Sequence, residues 1–184
     1  MLDKKSLLTR CQQHDSKAQR QLYERYRGRL MGIALRYAHQ RSDAEDIFQE
    51  AFIQAFRSLH QVTQPEALLG WLKKIVIRTA IRHYHHAHQS HWVSWEEIPV
   101  VASEDDYTIL SKLQQDQLLQ LINQLPDGYR LVFNLYVIDG YSHEEIAKIA
   151  GIKEASSRSQ LARAKQQLKC MLRQLGIQHY EKYG

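Results

Sequence analysis

Two stretches of this 184-residue chain carry side chains whose types and spacing could do chemistry. The first is "HYHHAHQSH", His83 to His91, with five histidines in nine residues. Imidazole is the commonest metal ligand, so a metal site is the reading to test first. The spacing argues against it. His83, His85, His86 and His88 point in different directions around a helix, and only pairs three or four apart, such as His85 and His88, share a face. No Cys or carboxylate nearby completes a four-ligand set. Between Glu66 and Glu96 the chain carries Lys73, Lys74, Arg78 and Arg82 and no acid. The histidines therefore extend a basic face, one that can donate to phosphates and stack on bases. A plainly solvated surface is the third reading.

The second stretch is "YSHEEIAKIAGIKEASSRSQLARAKQQLKCML". Ser142 followed by Glu145 is a capping-box signal for a short helix. Ile146, Ala147 and Ile149 supply its buried side. Gly151 stands where a tight turn needs a positive φ, and Ile152 plugs the turn. A second helix is expected from about Glu154 to Leu172, with Leu161, Ala164 and Leu168 facing inward. Its front edge is Ser156, Ser157, Arg158, Ser159, Gln160 and Arg163. Short hydrogen-bonding side chains at the N-terminal end of such a helix suit base edges in a major groove. Lys165, Lys169 and Arg173 can reach phosphates. The alternative is an ordinary amphipathic helix in a bundle.

These side chains need elements to hold them, and helical spacing runs through the chain. Gly (8) and Pro (3) are scarce, and 43% of residues are hydrophobic, enough for a packed core. The fold class is all-α: two small helical domains joined by an acidic linker. Residues 1–90 form the first domain, 91–112 the linker, 113–175 the second domain and 176–184 a tail. In the first domain Leu22, Tyr23, Tyr26, Leu30, Ile33, Ala34 and Tyr37 recur at three- and four-residue steps. "SDAEDIFQEAFIQAFRSL" starts with a cap signal, Ser42 with Glu45. Its apolar stripe is Ile47, Phe48, Ala51, Phe52, Ala55, Phe56 and Leu59, and its other face carries Asp43, Glu45, Asp46, Gln49 and Glu50. Pro65 breaks the chain before "GWLKKIVIRTAIRHYHHAH", whose buried side is expected to include Trp71, Leu72, Ile75, Val76, Thr79 and Tyr84. "DQLLQLINQLP" and "DGYRLVFNLYVIDG" are two helices of the second domain, the latter closing at Gly140. Cys11 and Cys170 form no CxxC pair and read as free thiols of a reducing compartment. With no apolar run fit for a signal peptide or a membrane span, a cytoplasmic protein is expected. The formal charge of +5 fits a polyanionic partner without requiring one.

The order of these segments resembles the extracytoplasmic-function sigma factors, a group of the sigma-70 family of bacterial transcription-initiation factors. "LYERYRGRLMGIALRY" looks like the start of the family's first conserved domain. "DAEDIFQEAFIQAF" is similar to its signature helix, and "GWLKKIVIRTAI" to its promoter-melting helix. "LPDGYRLVFNLYVIDGYSHEEIAKIAGIKEASSRSQLARAKQQL" resembles its second domain from end to end. The resemblance implies a protein with no catalytic residues, no metal and no cofactor of its own, since polymerase supplies the bond formation. It implies docking on the β′ clamp helices of core RNA polymerase through Asp46, Gln49 and Glu50, with Phe52 and Phe56 as apolar neighbours. It implies promoter contacts at the minus-ten element through Trp71, Lys73, Lys74, Arg78, Arg82 and His83. A flipped base would enter the loop from about His60 to Ala67, and flipping costs a few kcal/mol that the pocket must return. At the minus-thirty-five element the contacts implied are Ser156, Ser157, Arg158, Ser159, Gln160, Arg163 and Lys165. The other implied partners are the polymerase β flap and a membrane-anchored anti-sigma factor, with no membrane insertion of this chain itself. The acidic linker is implied to follow the polymerase's active-centre and RNA-exit path.

Three residues depart from the family pattern. Arg78 stands where the melting helix often has Asn. Lys153 stands where the second helix of the helix-turn-helix often has a Ser cap. Ala162 stands where many members carry a bulky residue on the reading face. Two other functions compete. A dimeric helix-turn-helix regulator binding an operator would not need the acid-faced "DAEDIFQEAF" helix. A histidine-rich metal hydrolase would need the missing carboxylates or thiolates.

Overall fold

The computed structural model describes residues 3–88 and 115–175. The expected linker 91–112, His91 and the tail 176–184 lie outside the described residues. The chain divides into two units, Met1–Tyr84 and His85–Gly184.

The first unit begins with a helix that the periodicity did not separate from its surroundings, α1 (Lys4–Gln12). Asp3 caps it by accepting from the Ser6 N–H at 2.7 Å. Its Leu7, Leu8 and Cys11 are buried against the rest of the unit, and burial pushes the Cys11 thiol up to about 11. Gln12 Nε2 donates to the Val62 carbonyl at 2.9 Å and to that of Leu59 at 3.2 Å, tying α1 to the loop before the basic helix. Helix α2 (Ser16–Tyr37) is capped by Asp15, which accepts from the Lys17 and Ala18 N–H groups. It buries Ala18, Leu22, Tyr26, Leu30, Ile33 and Ala34, a stripe at helical spacing.

Helix α3 (Arg41–Ser58) starts one residue before the expected Ser42 cap. Gln40 is still extended, at φ −120° and ψ 158°, so the helical register opens at Arg41. Asp43, not Glu45, accepts the backbone N–H at the cap, from Gln40 at 3.4 Å. Glu45 instead pairs with Arg41 at 2.9 Å. The buried stripe is Ala44, Ile47, Phe48, Ala51, Phe52 and Ala55. Two 3-10 turns, Leu59–Gln61 and Pro65–Ala67, lead into α4 (Leu68–His88). In α4, Leu72, Ile75, Val76, Ile77, Thr79, Ala80 and Ile81 are buried, while Trp71 and Tyr84 are half-buried.

The second unit holds α5 (Gln115–Asn123), α6 (Asp127–Phe133), α7 (His143–Ala150) and α8 (Glu154–Gln174). The segment expected as one helix up to Gly140 changes pitch. It is α-helical to Phe133 and then turns with π geometry over Asn134–Ile138, where the Asp139 N–H reaches the Asn134 carbonyl at 2.9 Å. Gly140 ends it at φ 77°, and the Tyr141 N–H closes back on Leu135 at 2.9 Å. Leu121, Leu125, Ala164 and Leu168 form a buried cluster covered by Tyr129, Phe133, Met171 and Leu172. The guanidinium of Arg130 is buried with them, paired to Asp127 at 2.7 Å.

Candidate nucleic-acid and protein interfaces

On α3, Asp46, Gln49 and Glu50 are exposed, and Ile53 is 54% exposed. Positions 46, 49, 50 and 53 fall on one side of a helix, so the outer stripe carries two acids, an amide and an aliphatic side chain. Ile53 was not anticipated; its place seven residues after Asp46 was the available signal. Phe56 is half-buried beside this stripe. Phe52 does not reach the surface, which corrects its expected role as a partner-facing residue. It is 4% exposed and enclosed by Phe48, Tyr23 and Phe56 at centroid distances of 4.8, 4.9 and 5.8 Å. A ring at the centre of such a cluster sets the position of the helix and its outer stripe without touching a partner.

On α4, positions 71, 75, 78 and 82 share a side at helical spacing. Trp71, Ile75 and Arg78 line a groove with Gln54, Arg57, Ser58 and Gln61 from the end of α3 and the first 3-10 turn. Lys74 is half-buried, and its ammonium is held below the usual lysine range by burial and then by Arg78. Lys73, also half-buried, sits about 200° round the helix from Trp71, so the structure does not bring it to this groove. On the other flank of the loop, a second groove is lined by Lys4, Arg25, Arg29 and Tyr26 with Pro65, Glu66 and Leu69. The cations of α1 and α2 there were missed because they are scattered through the sequence.

Arg82 and His83 turn toward α3. Arg82 lies 2.6 Å from Glu50 Oε1, and His83 Nε2 lies 2.8 Å from Glu50 Oε2. Burial raises the Glu50 carboxyl, but the His83 hydrogen bond and the Arg82 charge outweigh it and leave the group below the usual range. Among the described residues no group of three or more His, Cys, Asp or Glu gathers as a metal would require.

The helix-turn-helix forms as the spacing predicts. Ser142 accepts from the Glu145 N–H at 3.2 Å, and Glu145 accepts from the Ser142 N–H at 2.7 Å. Gly151 sits at φ 65°, and the Ile152 N–H reaches the Ala147 carbonyl at 3.0 Å. Lys153 precedes α8 with no side-chain cap. Arg158, Ser159, Ala162, Arg163, Lys165 and Lys169 are exposed, and Ser156 is half-buried. Arg158 pairs with Glu154 one turn earlier. Ser157 is the correction here. It belongs to the buried stripe of Leu161, Ala164 and Leu168, is fully buried, and meets His143 Nδ1 at 2.9 Å. Gln160 also turns inward, its amide lying 3.1 Å from where a Cβ on Gly128 would stand. Arg163 reaches the Tyr129 hydroxyl at 3.4 Å. Sequence reasoning missed His143, whose ring also stacks on Tyr136 at 4.3 Å between centroids.

Comparison with known proteins gives two family matches along the chain. Residues 22–89 match the family "Sigma-70 region 2", and residues 115–168 match "Sigma-70, region 4". The chain is 29% identical over 180 residues to the "ECF RNA polymerase sigma-E factor" of Haemophilus influenzae, covering 91% of this chain and 94% of that one. It is 27% identical over 171 residues to the "RNA polymerase sigma-H factor" of Pseudomonas aeruginosa, covering 87% and 89%. A solved structure of CnrH in complex with the cytosolic domain of CnrY is 20% identical, covers 90% of this chain and 94% of that one, and superposes with a TM-score of 0.48.

Proposed function

The chain belongs to the extracytoplasmic-function group of the sigma-70 family of RNA polymerase sigma factors, and from that premise we propose how its surfaces share the work of promoter-specific initiation. The outer stripe of α3, Asp46, Gln49, Glu50 and Ile53, docks on the β′ clamp helices of core polymerase. Acids and an exposed aliphatic side chain suit a cationic surface with an apolar centre. Phe52 holds that stripe from within.

The α4 groove takes the non-template strand at the minus-ten element. Arg78 and Lys74 supply positive charge, and Trp71 contributes an aromatic ring to the groove against which a base can stack. The loop from His60 to Ala67 receives the flipped base; in support, Gln61 lines one groove and Pro65 and Glu66 line the other. At the minus-thirty-five element, Arg158, Ser159 and Arg163 face the major groove, with Ser156 and Lys165 beside them and Lys169 near the phosphates. The β flap is the expected partner of the second unit on the polymerase. An anti-sigma factor, membrane-anchored in the reading proposed here, would restrain the protein before release. No described helix is long and apolar enough to cross a membrane, and the proposed site of action is the cytoplasm. Bond formation remains the polymerase's task.

The observation that carries this division is the contrast within one unit. The exposed side of α3 is acidic and apolar, while α4 presents Lys74 and Arg78 beside an aromatic ring. Transcription of fragmented host DNA by core polymerase, with and without the protein, tests it. New transcript starts should share two short upstream motifs. Starts that appear with no common motif would contradict promoter reading by these surfaces.

A further inference from the structure

Glu50 stands on both surfaces at once. It belongs to the α3 stripe, yet each of its carboxylate oxygens already has a partner from α4: Oε1 with Arg82 at 2.6 Å and Oε2 with His83 at 2.8 Å. Neither oxygen is left to receive a cation from another protein on equal terms. Arg82 shares the side of α4 that carries Trp71, Ile75 and Arg78, so the arrangement draws one member of the basic stripe toward the acidic one. Both interactions are partly open to solvent, with side chains 47%, 25% and 35% exposed for Glu50, Arg82 and His83. A surface ion pair is worth about 1.4- to 5-fold in an equilibrium. The pair can therefore tune binding and can be exchanged quickly, and it is too weak to lock the protein shut.

We propose that Glu50 is a positioning residue that couples the two surfaces: in the free protein it restrains Arg82 and His83, and docking on a cationic polymerase surface draws its carboxylate away and releases both side chains to the single strand. This rests on the assignment of α3 to polymerase and α4 to DNA given above. Linkage makes the effect reciprocal. Whatever factor docking adds to DNA affinity, DNA must add to docking. It also means that removing the α4 cations frees Glu50 for polymerase, an outcome that a merely structural ion pair would not produce.

The test uses the full-length protein and two variants, Glu50→Gln and the double variant Arg82→Ala/His83→Ala, each first shown to keep its helical content and melting transition. Binding to a fluorescein-labelled single-stranded DNA oligonucleotide of mixed sequence is measured without polymerase. Binding to core polymerase is measured without DNA. Glu50→Gln should bind the oligonucleotide about two- to tenfold more tightly, with a salt slope steeper by roughly 0.7 for each additional phosphate neutralised. Arg82→Ala/His83→Ala should bind the oligonucleotide more weakly and core polymerase about two- to fivefold more tightly. If the double variant binds core polymerase with unchanged or lower affinity while the wild type binds well, the coupling is overturned and the docking assignment survives. If Glu50→Gln leaves oligonucleotide binding and its salt slope unchanged, the restraint is overturned. A folded wild type that does not bind core polymerase at all would sink the docking assignment and this inference with it.

Discussion

His143 and Ser157 meet across the helix-turn-helix, with the imidazole Nδ1 2.9 Å from a hydroxyl that is fully buried. One residue opens the first helix of the motif and the other lies on the inner face of the recognition helix. The pair therefore fixes how the N-terminal end of α8 is presented. Removing one partner of a buried hydrogen bond strands the other and costs about 1–3 kcal/mol. Ser157→Ala should lower stability by about 1 kcal/mol in a urea melt. His143→Ala should do the same, and the double variant should cost less than the sum because the two changes remove one interaction. A double variant that is strictly additive would show that the two side chains do not act together.

The same pair carries a pH dependence with a definite sign. The His143 imidazole is held below its usual value of 6.5 by burial, then by Arg158, with Lys165 adding to the effect and Glu154 opposing it. A base depressed in the folded state favours folding while neutral. Its contribution is present above the unfolded value and is lost as pH falls from there toward the lower folded value. Stability of the wild type should drop through that window more steeply than that of His143→Gln, measured as the denaturation midpoint at a series of pH values. Parallel curves for the two proteins would rule out His143 as the titrating group.

Two glycines should respond in opposite ways to alanine. Gly151 holds φ at 65° to make the turn of the helix-turn-helix, so Gly151→Ala should destabilise by about 1 kcal/mol or more. Gly28 lies inside α2, and a Cβ there would meet nothing within 4 Å. Gly28→Ala should stabilise by roughly 0.5–1 kcal/mol through helix propensity alone. Thermal melts of both variants decide it; stabilisation by Gly151→Ala would contradict the turn described here.

The recognition helix should separate base readers from supports. Arg158→Ala and Arg163→Ala should each cost about 1–3 kcal/mol of specific binding once a minus-thirty-five sequence is defined. Lys169→Ala should weaken binding similarly on all sequences and flatten the salt slope by about 1. Binding titrations on matched and scrambled duplexes check both. Equal losses on both duplexes for the arginine variants would make them phosphate binders instead.

What the sequence disclosed and what it hid follow from the physics of each feature. The helix-turn-helix was legible because its capping box and turn glycine are local signals with fixed spacing. The acidic face of α3 was legible from period alone. Phase was harder. Ser157 looked like a reader among short polar residues, and only the register of Leu161, Ala164 and Leu168 shows that it turns inward. Phe52 is apolar on either account, and its burial depends on Tyr23 from another helix. The start of α3 lies two residues before the one its sequence suggests, because Gln40 is a weak cap by type and Ser42 a strong one. The π turn at Asn134–Ile138 has no sequence signature of its own. The Glu50–Arg82–His83 cluster joins residues more than thirty positions apart, which no periodicity can report.

The proposed function rests first on the outer stripe of α3 binding core polymerase. The direct measurement is binding of the purified protein to bacterial core RNA polymerase in competition with the housekeeping sigma factor, with Asp46→Ala/Gln49→Ala alongside. The wild type should bind saturably and competitively, and the variant should lose about tenfold or more with its fold intact. A folded, monodisperse wild type that fails to compete, or a variant that competes equally well, would contradict this docking.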